Sequence, residues 1–170
     1  MARHNFMDLL ALVMIVMVVF AADDRGKAGF ASAQEDEYLT PHNAARSDVG
    51  VGPLVWDSTL EDYARSYAES QASSCLPLQH SDGPYGENLY WSSSDSATPG
   101  DAVASWVDEK QYYDYDSNSC ADGEVCGHYT QVVWRDTTNV GCASVACDDG
   151  GTYIICSYNP RGNVNGQPPY

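Results

Sequence analysis

Six cysteines, all downstream of an apolar N-terminal run, constrain this chain more than any other feature: Cys75, Cys120, Cys126, Cys142, Cys147 and Cys156. The run is Leu9–Ala22, fourteen mostly apolar residues stopped by Asp23, Asp24 and Arg25. It falls short of the ~20 residues a helix needs to cross a bilayer and fits the apolar part of an export signal. A short membrane anchor is the alternative reading. Two cut points compete, one near Ala22 and one after Ala31-Ser32-Ala33. The second is favoured for its small-x-small pattern, giving a signal peptide over 1–33 and a mature domain over 34–170. Six cysteines in an exported chain imply three disulfides, with many connectivities open.

Local patterning narrows those connectivities. Val140–Cys147 and Thr152–Tyr158 are rich in small and β-branched residues, and Asp148-Asp149-Gly150-Gly151 between them is turn chemistry, so an antiparallel hairpin is expected. Facing residues in a hairpin have a constant number sum, which sets Cys142 almost opposite Cys156 at a distance a disulfide tolerates. Cys147 is an odd number of residues from Cys142 and points to the other face. Cys120 and Cys126 close a small loop, leaving Cys75 for Cys147.

Helices precede the hairpin. Ser58-x-x-Glu61 has capping-box form ahead of a stripe of Leu60, Tyr63, Ala64, Tyr67, Ala68 and Ala72. Thr98-Pro99 offers an N-cap with proline at the first helical position, followed by Ala102, Val103, Trp106 and Val107. Tyr38 to Arg46 reads as another helix despite Pro41, and Tyr129 to Trp134 as a shorter one. Ser92–Ser96 and Asp114–Asp122 read as loops. The fold class expected is α+β, layered around an antiparallel sheet.

A formal charge of −16 repels phosphate backbones and anionic headgroups, so nucleic acid is excluded as a partner. No Cys-x-x-Cys, Gly-x-Ser-x-Gly or His-Glu-x-x-His is present, and three bridges leave no free thiol. Histidines outside the signal are His42, His80 and His128. His80 precedes Glu87 by seven residues, His128 follows Cys126-Gly127, and Glu109 lies just after Trp106. Two imidazoles with carboxylates suit a divalent ion such as zinc, with coordination positions left open. Trp106, Tyr112, Tyr113 and Tyr115 form an aromatic cluster that reads either as packing or as a groove for a flat, lipid-like ligand.

Four motifs carry a resemblance: His42-Asn43-Ala44-Ala45-Arg46, Gly86-Glu87-Asn88-Leu89, Gly127-His128-Tyr129-Thr130-Gln131-Val132-Val133-Trp134, and Cys156-Ser157-Tyr158-Asn159-Pro160-Arg161-Gly162-Asn163. With them the mature region resembles the CAP superfamily, and within it the plant pathogenesis-related 1 proteins. The resemblance implies a three-layer α-β-α sandwich with a shallow cleft. It places the family's two-His, two-Glu tetrad on His80, Glu87, Glu109 and His128, with the two His as metal ligands. It agrees with the pairing Cys75–Cys147, Cys120–Cys126 and Cys142–Cys156. It also implies a released eleven-residue peptide, Pro160 to Tyr170, cut after Asn159, although the usual Cys-Asn-Tyr ahead of that point is here Cys156-Ser157-Tyr158.

The function expected from the resemblance is that of a non-enzymatic, secreted plant defence protein of the apoplast rather than the vacuole, acting against fungi and oomycetes by binding sterol or related lipid through the aromatic cluster. No cofactor is required on this reading, zinc being optional. The expected protein is a monomer with no membrane span, and a receptor would read its terminal peptide. The competing expectation is a metal-dependent hydrolase in which zinc activates water and a Glu acts as base.

Overall fold

The structure is a computed structural model that describes residues 33–170; the signal peptide expected over 1–33, apart from Ala33, and the alternative cut near Ala22 lie outside the described residues. The elements are α1 (residues 33–48), β1 (Val55–Trp56), α2 (Ser58–Gln71), β2 (Gly86–Ser92), α3 (Pro99–Asp108) with a following 3-10 turn (Glu109–Tyr112), β3 (Tyr113–Asp114), β4 (Ser119–Cys120), α4 (Gly127–Val132), β5 (Asn139–Ala146) and β6 (Thr152–Asn159). The main sheet has the order β1-β5-β6-β2. Its three long strands are antiparallel, and the two-residue β1 adds in parallel at the β5 edge. Among the described residues no helix is long and apolar enough to cross a membrane.

Strand alternation sorts the core into two layers. On one face Val140, Cys142, Ile154, Cys156 and Tyr158 pack with Tyr38 and Ala45 of α1, Val103 and Trp106 of α3, and Tyr129 and Val132 of α4. On the other, Ala143, Tyr153, Ile155 and Leu89 pack with Ala64 and Ala68 of α2. The result is an α-β-α sandwich. Its staples are Cys75–Cys147, Cys120–Cys126 and Cys142–Cys156, and Cys142 stands directly across from Cys156 in the ladder. Cys147 sits with Cys75 in the α2 layer, as the odd spacing requires.

The helix starts follow local chemistry. Thr98 and Asp101 form a reciprocal capping box at α3, with Pro99 in the first turn. At α2 the cap is Asp57 rather than Ser58: its carboxylate accepts from Thr59 N at 2.8 Å and Leu60 N at 3.4 Å. A charged acceptor binds these amides more strongly than a hydroxyl. Glu61 instead accepts from Trp56 Nε1 at 3.0 Å and pairs with Arg65. The helix α1 runs through Pro41, whose missing N–H costs a backbone bond. Burial of Tyr38, His42, Ala45 and Arg46 along one stripe offsets that cost. The stretch expected to be all loop, Asp114–Asp122, contains part of the short β3–β4 ribbon.

Gly141 lets α2 lie against β5. A Cβ there would stand 2.1 Å from Glu61 N and 2.6 Å from Asp57 O, both backbone atoms of the α2 entry. Gly141→Ala is therefore expected to lower the unfolding free energy by about 1–3 kcal/mol, since the helix must lift off the sheet. Urea unfolding of the oxidised protein checks it, and an unchanged midpoint would contradict the close approach.

Candidate functional site

The four expected His and Glu residues form two pairs. Glu87 comes from the start of β2, and its side chain is nearly buried while His80 stays largely exposed. His80 Nδ1 donates to Glu87 Oε2 at 3.2 Å, Ser81 N donates to the same oxygen at 2.9 Å, and the Ser81 hydroxyl donates to Oε1. Burial raises the Glu87 pKa, but the bonds from His80 and Ser81 outweigh it and leave the group below its ordinary value. The same bond to Glu87 raises His80 above its ordinary value.

Glu109 opens the 3-10 turn after α3 and reaches α4. His128 Nδ1 donates to its Oε1 at 2.6 Å, while His128 N and Tyr129 N donate to Oε2 at 2.9 and 3.1 Å. One carboxylate thus satisfies two amides that the start of a helix leaves unpaired and orients the ring beside them. The imidazole lies nearly parallel to Trp106, with centroids 6.4 Å apart. The pairs are linked through Asn88: it follows Glu87 on β2, and its amide donates to His128 O at 3.0 Å.

A cavity of about 340 Å³ opens on the first pair, walled by His80, Glu87, Tyr85, Gln131 and Arg161. Glu109 and His128 are not among its walls. Sequence reasoning missed Ser81 and, although Gln131 and Arg161 lie within quoted motifs, gave them no place here, because the three come from separate segments with no shared spacing.

In each pair the carboxylate holds the Nδ1–H and leaves Nε2 as the imidazole's lone-pair donor, the orientation that metal-binding histidines show. The donor chemistry thus fits an ion with two imidazole ligands and open positions. Among the described residues no three His, Cys, Asp or Glu side chains are grouped to hold a metal ion. Both carboxylates are already engaged by imidazole and backbone N–H groups, so neither is a free general base.

The aromatic cluster divides. Trp106 is core, 1% exposed, with its Nε1 donating to Leu89 O at 3.1 Å. Tyr112 and Tyr115 are exposed. Tyr113 is half-buried against Tyr129, and its hydroxyl donates to Asn118 at 2.7 Å. Tyr115 stacks on Tyr170, centroids 4.7 Å apart and planes within 7°. Asn159 and Pro160 at the expected release point are exposed.

Residues 39–158 match the model of the cysteine-rich secretory protein family, CAP. Pathogenesis-related protein PRMS of Zea mays is 52% identical over 160 residues, covering 93% of this chain and 95% of that protein. Pathogenesis-related protein 1B of Nicotiana tabacum is 56% identical over 140 residues, 82% and 83% of the two chains. Among solved structures, NaASP2 with Zn2+ superposes with a TM-score of 0.63 at 24% identity, covering 81% of this chain and 84% of that one, a likeness of fold.

Proposed function

This chain belongs to the CAP family of cysteine-rich secretory proteins, and from that premise we propose that it is a secreted, non-enzymatic plant defence protein of the extracellular space that binds sterol or a related lipid. The observation that carries the defence reading is the near full-length identity to pathogenesis-related proteins of maize and tobacco. Support for the lipid reading comes from Tyr112 and Tyr115, two exposed rings three residues apart, the first ending the 3-10 turn after α3 and the second following β3. Trp106, 1% exposed, is core rather than a contact. The same reading takes residues 160–170 as a defence peptide released after Asn159 and read by a receptor.

A divalent ion such as zinc, held by Nε2 of His80 and His128, would supply a polarising positive charge. His80 lines the cavity at the first pair, Glu87 fixes its ring, and Ser81 holds Glu87 in place. The commitment of both carboxylates to these positioning roles disfavours hydrolysis.

Sterol binding by the oxidised protein tests the lipid reading. If each tyrosine covers about 50 Å² of sterol, the pair contributes about 2.5 kcal/mol at ~25 cal/mol per Å². A Tyr112→Ala/Tyr115→Ala variant should then bind roughly 70-fold more weakly. Equal retention by the variant and the parent would overturn the reading.

A further inference from the structure

Residues 160–170 are seated on the body by two separate anchors with an exposed span between them. At the first, Gly162 N donates to the buried Gln131 Oε1 at 3.0 Å, Thr130 Oγ1 donates to Asn163 Oδ1 at 2.7 Å, and Asn163 Nδ2 donates to Gly127 O at 2.8 Å. Gly162 lies so near Trp134 that a Cβ would stand 2.7 Å from its Cγ. At the second, Arg135 N donates to the carbonyl of the buried Pro169 at 2.6 Å. There the Tyr115 hydroxyl donates to Tyr170 O at 2.6 Å, beneath the stacked rings. A cavity of about 320 Å³ walled by Cys120, Cys126, Trp134 and Val164 runs under the exposed span.

We infer that this surface of α4 and the β3–β4 ribbon is a peptide-binding groove whose ligand is the chain's own residues 160–170, so that cutting before Pro160 leaves the peptide bound and its dissociation controls release. This rests on the reading that the peptide is processed. Hydrolysis by an external endopeptidase breaks the Asn159–Pro160 C–N bond, water supplying the hydroxyl to the Asn159 carbonyl and a hydrogen to the Pro160 nitrogen. No docking bond is lost in that step. Proline has no N–H, Thr137 Oγ1 still donates to Pro160 O at 2.8 Å, and the new Asn159 carboxylate keeps the bond that its carbonyl accepts from Thr138 N at 3.2 Å. Charge favours retention too. The peptide's one charged side chain, Arg161, lines a cavity with Asp82 and Glu87 on a chain of net charge −16. Two prolines near its end limit the freedom lost on binding.

The test uses the oxidised chain over residues 34–170, which leaves out Lys27 and so allows a single cleavable site. Lys110 is the one lysine after residue 33, so the Lys110→Arg/Asn159→Lys variant presents one site to a lysine-specific endoprotease that accepts a following proline. Where the folded chain resists, the cut is made in denaturant with disulfides intact and the protein refolded. The fragment is then expected to co-elute with the folded body in gel filtration at micromolar protein, which needs a Kd of about 1 μM or tighter. Adding Thr130→Val or Tyr115→Phe should weaken retention roughly five- to tenfold each. Immediate loss of the fragment from a folded body overturns the inference, and so does a body that unfolds once cut, because the tail would then be core and not ligand. Mass spectrometry of denatured secreted fluid from the source tissue tests processing separately: absence of the fragment there, with retention in the engineered chain, sinks the processing reading and leaves the groove standing.

Discussion

Replacing Arg46 with methionine is expected to remove about 4 kcal/mol of stability and to lower the melting temperature by roughly 10–20 °C. The guanidinium is buried at 1% exposure and meets four backbone carbonyls. Nε donates to Gly52 O at 2.6 Å, Nη1 to Val132 O at 3.0 Å and Trp134 O at 2.8 Å, and Nη2 to Thr137 O at 2.8 Å. One side chain thus ties α1 to the loop ahead of β1 and to the C-terminal end of α4. Burial lowers its pKa to about 10, so it stays charged at every physiological pH. Removing it strands the carbonyls, and each orphaned polar group costs about 1–3 kcal/mol before relaxation. Because α4 carries His128 and the wall residue Gln131, loosening its end should also disturb the candidate site. Arg46→Lys keeps the charge but lacks the planar fork, so a loss of about 2 kcal/mol is expected. Thermal and urea unfolding of the three proteins decides it, and a methionine variant within 1 kcal/mol of the parent would refute the role.

Arg46 also marks where sequence reading stops. The hairpin was legible because strand parity is a local rule: Cys142 must face Cys156 and Cys147 must not, and the ladder obeys. Thr98-Pro99 was legible because a cap is read within four residues, and Asp57 displaced Ser58 by one position for a reason equally local. Arg46 and His42 sit four apart on the α1 stripe with Tyr38 and Ala45, a spacing that placed them on one face. Nothing near them says that this face is buried, since their partners Val132, Thr137 and Tyr158 lie more than eighty residues away. Glu109 and His128 were singled out from the residues and joined to His80 and Glu87 through family likeness, but the capping of α4 by Glu109 required the fold. The docking of 160–170 had no periodic signal, because an extended segment bonded through backbone and Asn163 leaves no repeat to read.

Acid should destabilise the protein well before its carboxylates titrate, and His42 is the cause. Its Nδ1–H donates to Tyr38 O and its Nε2 accepts from the Tyr158 hydroxyl, both at 2.8 Å, while Asn88 Nδ2 donates to that hydroxyl at 3.2 Å. A proton on Nε2 would face a hydroxyl already aimed at it, in a pocket closed by Trp106 with the Arg46 cation nearby. Burial first, then Arg46, lowers the His42 pKa to about 4, against the bond to Tyr38 O that pulls it up. The unfolded chain titrates this residue near ~6.5, so between about 4 and ~6.5 the unfolded state holds a proton that the native state lacks. Stability is full above ~6.5 and falls by about 1.4 kcal/mol per unit of pH through that window, roughly 3 kcal/mol in all. The other shifted pair acts outside it. His80, with its pKa raised, gains stability on acidification only down to ~6.5, and Glu87, with its pKa lowered, loses stability only below its unfolded value near ~4.3. Urea midpoints from pH 7 to 4.5 should therefore decline in the parent and stay nearly level in His42→Gln, whose starting stability is lower. Parallel profiles for the two proteins would remove His42 as the source.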